Sequence, residues 1–410
     1  MGYSPIITVA ASNSKLRQNE AVDFICSGKN DELTINKAIE KAVEEDKSVY
    51  LLGGNYHIDD FYDFGDGGPK AAIFTPGLSK QVAIIGQSLP YAKHLDGVQL
   101  YVSKEALDKI SDGEYSVIRT KWSKAAVFGG TILNIENLQL VLAHNQKPVR
   151  GIDLRRCDRA DIKNVRLNAY GDLDTGNVTV PDPAIEGCIG LTMTDGSNNF
   201  ISRYENLTVN GFYEGIQVGG EHVIMIECAA SACWYGYTFG NYTYRYGFNH
   251  PITMIKCCDE RNVNLPLFHS CGDHDSEGNK LIGGQEVTMI SFNIERLNGG
   301  KHTPGGKLGD AMRETYPGAF CGRIEYTLQP AWHHTNEPHF KLFENGSGIG
   351  FRTINMTHKP VCSTAERLSY YPSLGEQVFD TDLNKLLICI DADSKKWVDV
   401  NGVQIMEPLI

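Results

Sequence analysis

Residues 33–46 place apolar side chains at Ile35, Ala38, Ile39, Ala42 and Val43, the three-and-four spacing that gives a helix one apolar stripe. No other segment carries that pattern as strongly. Beyond it the chain breaks into short β-type runs separated by Gly, Asn and Asp, beginning at residues 49–52 and 82–86. The pattern predicts one amphipathic helix near the start, followed by a chain that is almost wholly β.

From about residue 132 to residue 295 the runs repeat. One strand type reads Gly, apolar, any, apolar, and starts at Gly151, Gly190, Gly215 and Gly236. Each copy is followed by a second strand, at residues 162–165, 206–209, 223–226 and 252–255, with a further copy at 287–290. Second strands begin about 20 to 40 residues apart, the period range of solenoids. Such coils stack because each can bury its inward apolar row only against its neighbours. Constant strand types joined by variable loops predict a β-helix. A propeller or a sandwich fits less well, because no Trp-Asp blade signature appears and two-residue Asn-Gly or Asp-Gly hairpins are scarce between these strands.

Residues 22–32, 35–39 and 49–58, the last containing Gly54-Asn55-Tyr56, resemble the opening of the pectate-lyase-like right-handed parallel β-helix proteins. In that superfamily an N-terminal helix caps the first coil, and the following strand and Gly-x-Tyr turn begin the solenoid. Residues 374–385 and 396–399 are similar to short β-rich tails on phage and prophage tail proteins. The resemblance implies an all-β chain forming a right-handed parallel β-helix of roughly ten coils. Residues 1–60 would hold the capping helix and first strand, residues 61–367 the parallel β-helix, and residues 368–410 a β-rich C-terminal tail. It also implies a homotrimer. The superfamily contains polysaccharide lyases, glycoside hydrolases, fructotransferases, epimerases and phage tailspikes, so fold alone does not fix the reaction. The Asp cluster and accompanying Arg motif of calcium-dependent pectate lyases are not found, and neither a metal nor a cofactor is expected.

Composition narrows the partners. The chain has 410 residues, enough for a large core, and a net charge of -12. That acidity argues against nucleic acid or an anionic membrane as partner, since counterion release needs clustered Lys and Arg. No apolar run is long enough to span a bilayer, and the N-terminus lacks a basic start followed by an apolar stretch. A cytoplasmic location and a phage or prophage particle both fit that reading. Eleven cysteines, an odd number without regular spacing, are expected as reduced core residues. They form no C-x-x-C pair and no Cys/His zinc spacing.

Several groups could carry chemistry. Matching Met254-Ile255 to Met289-Ile290 puts Glu260 over Glu295 and Arg261 over Arg296 on adjacent coils. Neighbouring strands lie about 4.8 Å apart, close to the roughly 5 to 5.5 Å between the carboxyls of a retaining glycosidase. Stacked Glu-Arg rows also balance charge on a solenoid surface, and both readings stay open. The loop at residues 241–250 concentrates aromatics, among them Tyr244 and Tyr246, around Arg245. Aromatic rings stack on sugar faces and an Arg forks onto a carboxylate, although the same loop could pack against a neighbouring subunit. Trp332, His333 and His334 begin the densest His cluster, which continues to Glu337 and His339. Histidine suits proton transfer near neutrality; a divalent metal or an ordinary loop are the alternatives. His269, Asp273, His274 and Asp275 form a further polar cluster, and the Gly-rich residues 299–307 lack the order of a phosphate loop.

The resemblance and these residues together imply a carbohydrate-active enzyme that takes a polysaccharide or oligosaccharide as its partner. The first reading is a polysaccharide lyase acting on a uronate-containing glycan. His333 or His334 would be the base, Tyr244 or Tyr246 the acid, Arg245, Arg261 or Arg296 the carboxylate neutraliser, with Trp332 beside the sugar. The second is a glycoside hydrolase or fructotransferase using Glu260 and Glu295. The third is a noncatalytic glycan-binding tail protein.

Overall fold

The computed structural model describes residues 5–15, 22–76, 81–89, 97–122, 131–170, 184–193, 201–220, 222–239, 252–260, 262, 267–268, 285–295, 313–314, 320–329, 352–355, 361–369, 375, 377–391 and 394–405. They form a sixteen-stranded sheet, an eight-stranded sheet and a four-stranded sheet. Strands of the two large sheets alternate along the chain, and the ladders between them run parallel, as in Arg150–Asp153 with Ile189–Thr192 and Ile252–Ile255 with Gln285–Glu295. The fold is a right-handed parallel β-helix with an N-terminal capping helix and a β-rich C-terminal tail. None of the described helices is long and apolar enough to cross a membrane.

The two strand types of the repeat separate onto the two sheets. Those starting at Gly151, Gly190, Gly215 and Gly236 are successive neighbours in the eight-stranded sheet, with Ile152, Leu191, Ile216 and Tyr237 in register. All four of these side chains are buried in one core. The glycines are required by space. A Cβ on Gly151 would lie 2.6 Å from the Gly190 carbonyl oxygen, one on Gly190 would lie 2.5 Å from that of Gly215, and one on Gly215 would lie 2.6 Å from that of Gly236.

The second strand type lies in the sixteen-stranded sheet, where Ile162, Tyr204, Met225, Met254 and Met289 form one inward row. This sheet turns a corner within each coil. The corner residues Asn137, Asn164, Asn206, Glu227, Lys256 and Ser291 all adopt left-handed backbone conformations, with φ between 51° and 57°. Asn tolerates this region better than other non-glycine residues. The first three corners also form a ladder, in which Asn164 Nδ2 donates to Asn137 Oδ1 and Asn206 Nδ2 to Asn164 Oδ1, each at 2.9 Å.

The corner corrects one alignment made from sequence. Residues 206–209 do not stack on residues 223–226; instead Arg203, Tyr204 and Glu205 pair with Ile224, Met225 and Ile226. Thr208, Val209 and Asn210 pair with Ala229, Ala230 and Ser231. The strand Arg203–Asn210 runs through its corner at Asn206 without a break, so it carries copies of two shorter strands of the next coil.

The helix spans Asp31–Glu45 and buries Ile35, Ala38, Ile39 and Ala42. It starts two residues ahead of the apolar pattern because Asp31 and Glu32 occupy its first turn, where carboxylates complement the helix dipole. Both are fully buried. Asp31 accepts from the Gly28 and His57 amides at 2.9 Å, and Glu32 accepts from the Asp59 amide at 3.2 Å and the Tyr62 hydroxyl at 3.0 Å. The cap is thus tied to the turn that follows the first coil.

The small sheet begins at Val361–Cys362, ahead of the boundary at 368, because these residues pair with Phe379 and Asp380. Its own core is Val378, Leu387, Cys389 and Trp397. On it lies the helix Thr364–Ser369, whose fully buried Arg367 reaches Asp380 at 2.8 Å and stands 5.5 Å over the Trp397 ring. Burial pushes the Asp380 carboxyl up, but the bonds from Arg367, the Leu383 amide and Thr364 outweigh it and leave the carboxyl below its ordinary value.

Two outcomes follow from this geometry. Gly190→Ala should cost about 1–3 kcal/mol or more, because the new methyl meets a ladder carbonyl and the Val209 side chain; the denaturant midpoint measures it. For Asp380 the folded pKa lies below the unfolded one, so its contribution is complete above about pH 4 and is lost as pH falls through the folded value. Amide protection factors, corrected for intrinsic exchange, at residues 377–391 should therefore fall on acidification below about pH 4, and Arg367→Met should weaken that pH dependence.

Candidate functional site

Each coil leaves the corner through a short outer segment ending in a turn. On successive coils the last positions of that segment are Asn168, Asn210, Ser231, Glu260, Glu295 and Gln329, all in backbone register. The row starts as a second amide ladder, with Asn210 Nδ2 donating to Asn168 Oδ1 at 2.8 Å. It then changes to a hydroxyl and two carboxylates. Glu260 is half-buried, and its carbonyl accepts from the Ala232 amide at 3.0 Å, which fixes this end of the strand to the coil beneath. For Glu295 the backbone register is described. The pairing of Glu260 with Glu295 and of Met254-Ile255 with Met289-Ile290 follows the alignment read from sequence.

Inward of Glu260, Asp259 is fully buried beside Asn262. Asn262 accepts from the Cys233 amide at 2.7 Å and donates to the Ala230 carbonyl at 2.9 Å. A Cβ on Gly236 would lie 2.5 Å from Asp259 Oδ2, so the glycine of that coil makes room for an internal polar pair. Across the solenoid, the buried Tyr237 hydroxyl donates to the carbonyls of Cys228 and Cys258 at 2.9 and 3.1 Å. The Glu260 strand is therefore held from its inner side by hydrogen bonds that a purely apolar coil would lack.

Three residues beyond the Asn210 and Ser231 positions, the turn presents Tyr213 and Trp234. Their rings are parallel to within 4°, with centroids 6.1 Å apart, and both are half-buried. Phe212 and Cys233, immediately before them, point into the core and are fully buried. Sequence reading missed this pair. The signal was present in the repeat: each aromatic stands two residues before an aligned glycine, Gly215 or Gly236.

A second cluster that sequence reading missed surrounds Trp122. Fully buried Arg119 forks onto Asp66 with two 2.8 Å bonds, although the two lie 53 residues apart. Arg155 pairs with buried Asp153 at 2.8 Å and with Glu114 at 3.0 Å, and Arg150 also meets Glu114 at 3.0 Å. The guanidinium groups of Arg155 and Arg156 stand 4.8 and 4.9 Å from the Trp122 ring centre. Burial pushes the Asp153 carboxyl up, but Arg155 and Arg150 bring it below its usual value. With each named carboxylate matched to an arginine, this cluster fixes the outer face of the eight-stranded sheet.

Of the residues singled out from sequence, the described structure pairs the backbones of Glu260 and Glu295. Tyr244, Arg245, Tyr246, Arg261, Arg296, Trp332, His333 and His334 lie outside the described residues, as do the 269–275 cluster and the Gly-rich segment. Among the described residues no three His, Cys, Asp or Glu side chains are grouped to hold a metal ion. The eight cysteines whose side chains are described form no disulfide, and burial pushes the thiols of Cys157 and Cys233 up to about 12, which withholds thiolate chemistry at neutral pH.

The described strands thus form a parallel solenoid on which Glu260 and two half-buried aromatic rings lie close together in the sequence of coils. Residues 27–252, more than half of the chain, match the family described as rhamnogalacturonase A/epimerase, pectate lyase-like, and the chain belongs to that family. The match ends before Glu260. No curated protein matches the chain. Among solved structures, it is similar to tailspike protein 3 of bacteriophage CBA120 at 10% identity, over 90% of this chain and 67% of that one, with a TM-score of 0.17. A score that low carries no argument about this chain.

Proposed function

We propose that the protein is a glycoside hydrolase that cleaves a glycan at the Glu260 and Glu295 edge. The observation that carries this reading is the in-register pairing of the two glutamates on adjacent parallel strands. Backbones about 4.8 Å apart are spaced so that carboxyl groups on the two residues could reach the roughly 5 to 5.5 Å separation of a retaining glycosidase. One carboxyl would protonate the leaving glycosidic oxygen while the other attacks the anomeric carbon. The first would then remove a proton from the water that releases the glycosyl group. If a sugar hydroxyl replaces that water, the same pair performs transfer. Membership of a family whose description includes a rhamnogalacturonase supports a glycan substrate.

Elimination, the other chemistry open to such a fold, would use His333 or His334, Tyr244 or Tyr246, and Arg245, Arg261 or Arg296. Hydrolysis is supported by the backbone register of Glu260 with Glu295.

The test is incubation with rhamnogalacturonan, polygalacturonate and neutral polysaccharides, following both product mass and the ultraviolet absorbance of unsaturated uronates. Hydrolysis yields products at the mass of the hydrated sugar without new absorbance, and Glu260→Gln and Glu295→Gln each lower turnover by about 10²- to 10⁴-fold. Absorbance accompanied by dehydrated products, with both variants fully active, would overturn hydrolysis in favour of elimination. Glycan binding without products from any polysaccharide would leave a noncatalytic binding protein.

A further inference from the structure

We infer that Tyr213 and Trp234 form an aromatic floor that positions the glycan next to the Glu260 and Glu295 edge. Their role would be substrate positioning, and the inference rests on the reading of that edge as a glycan site. Three observations carry it. The rings are stacked, 4° from parallel with centroids 6.1 Å apart, and half-buried, so they present aromatic surface at a turn of the solenoid.

The second observation is their order along the axis. Asn210 and Tyr213 belong to one coil, and Ser231 and Trp234 to the next. Glu260 and Glu295 continue the same row on the two coils that follow. The floor and the carboxylates therefore occupy four successive coils, each displaced from the last by about 4.8 Å. The third is proximity. Trp234 lies three residues from Ser231, which pairs directly with Glu260, so at most about 10 Å of extended chain separates it from that register.

A glycan crossing this turn would place one ring against the Tyr213 and Trp234 pair and its scissile bond at the carboxylate row, three residues back along each coil. The C–H faces of pyranose rings bury apolar surface against aromatic rings, which requires no charge on the sugar. The floor thus favours glycans whose ring faces are free of bulky axial substituents, whether or not they carry carboxylates. Rigid placement matters, because Tyr213 also packs edge-on against Tyr235 at 6.0 Å and both rings follow strand-ending turns anchored by fully buried Phe212 and Cys233.

The experiment measures kcat and KM on whichever polysaccharide of the panel the wild-type protein cleaves. It also follows tryptophan fluorescence on titration with an oligosaccharide of that polysaccharide. Trp234→Ala should raise KM about tenfold with a much smaller change in kcat, and Trp234→Phe should restore most of the affinity. The oligosaccharide should change the fluorescence of the wild type and of Trp332→Phe but not of Trp234→Phe, a readout that a folding defect in Trp234→Ala does not affect. An unchanged KM in Trp234→Ala, or a fluorescence change that survives in Trp234→Phe and disappears in Trp332→Phe, would overturn the floor while leaving Glu260 and Glu295 untouched. Full activity of Glu260→Gln and Glu295→Gln together with a raised KM in Trp234→Ala would instead remove the catalytic reading and keep the floor. A wild type that neither binds nor cleaves any glycan would end both.

Discussion

The left-handed corner is the constraint on which the solenoid depends. Strands stack in register only if every coil turns at the same place by the same angle, and residues in six successive coils hold φ between 51° and 57° there. A right-handed residue at one corner would redirect the next segment and break the ladders on both sides. Asn meets the requirement at three corners and adds a side-chain bond to its neighbour. At Glu227, Lys256 and Ser291 the backbone is held in the same region by stacking. The exposed ion pair between Lys256 and Glu227, at 3.6 Å, adds little to that.

The glycine rule on the opposite sheet is a consequence of the same stacking. Coils held at one strand spacing on the corner side approach equally closely on the other side, so Gly151, Gly190 and Gly215 recur where a Cβ would meet the next coil's carbonyl, and Gly236 where it would meet Asp259 and Asn262. The two regularities are complementary. One restricts torsion angles and the other restricts volume, and between them lies the row of Ile152, Leu191, Ile216 and Tyr237 that closes the core.

That difference explains how much of the molecule was legible in its sequence. A volume restriction admits only glycine, so the glycine-led strands could be aligned by eye and proved to be sheet neighbours. The capping helix was legible because its stripe of Ile35, Ala38, Ile39 and Ala42 faces one core. A torsion restriction admits Asn, Glu, Lys and Ser, and no common letter marked the corners. For that reason residues 206–209 were matched to the wrong segment. The in-register glutamates could be found because Met-Ile precedes both, whereas Arg119 and Asp66 share no local pattern to reveal their pairing. Tyr213 and Trp234 stood in equivalent places of the repeat, but as different residues their equivalence was visible only once the glycines after them were used as the reference.

The coils that carry the candidate site also change the way they are held together. Where Asn137, Asn164 and Asn206 occupy the corners, side-chain amides on the outside tie one coil to the next. In the later coils buried side chains take this part, as Tyr56 does for the carbonyls of Val9 and Leu52 in the first: Tyr237 reaches two carbonyls from across the core, and Asn262 joins Cys233 to Ala230. Buried hydrogen bonds of this kind are costly to leave unmade and so fix strand position firmly. Once position is fixed from within, the row need not repeat Asn for stability, and Ser231, Glu260 and Glu295 replace it without loss of register. The interior takes over the work of stacking, and the identities along that row are free to vary.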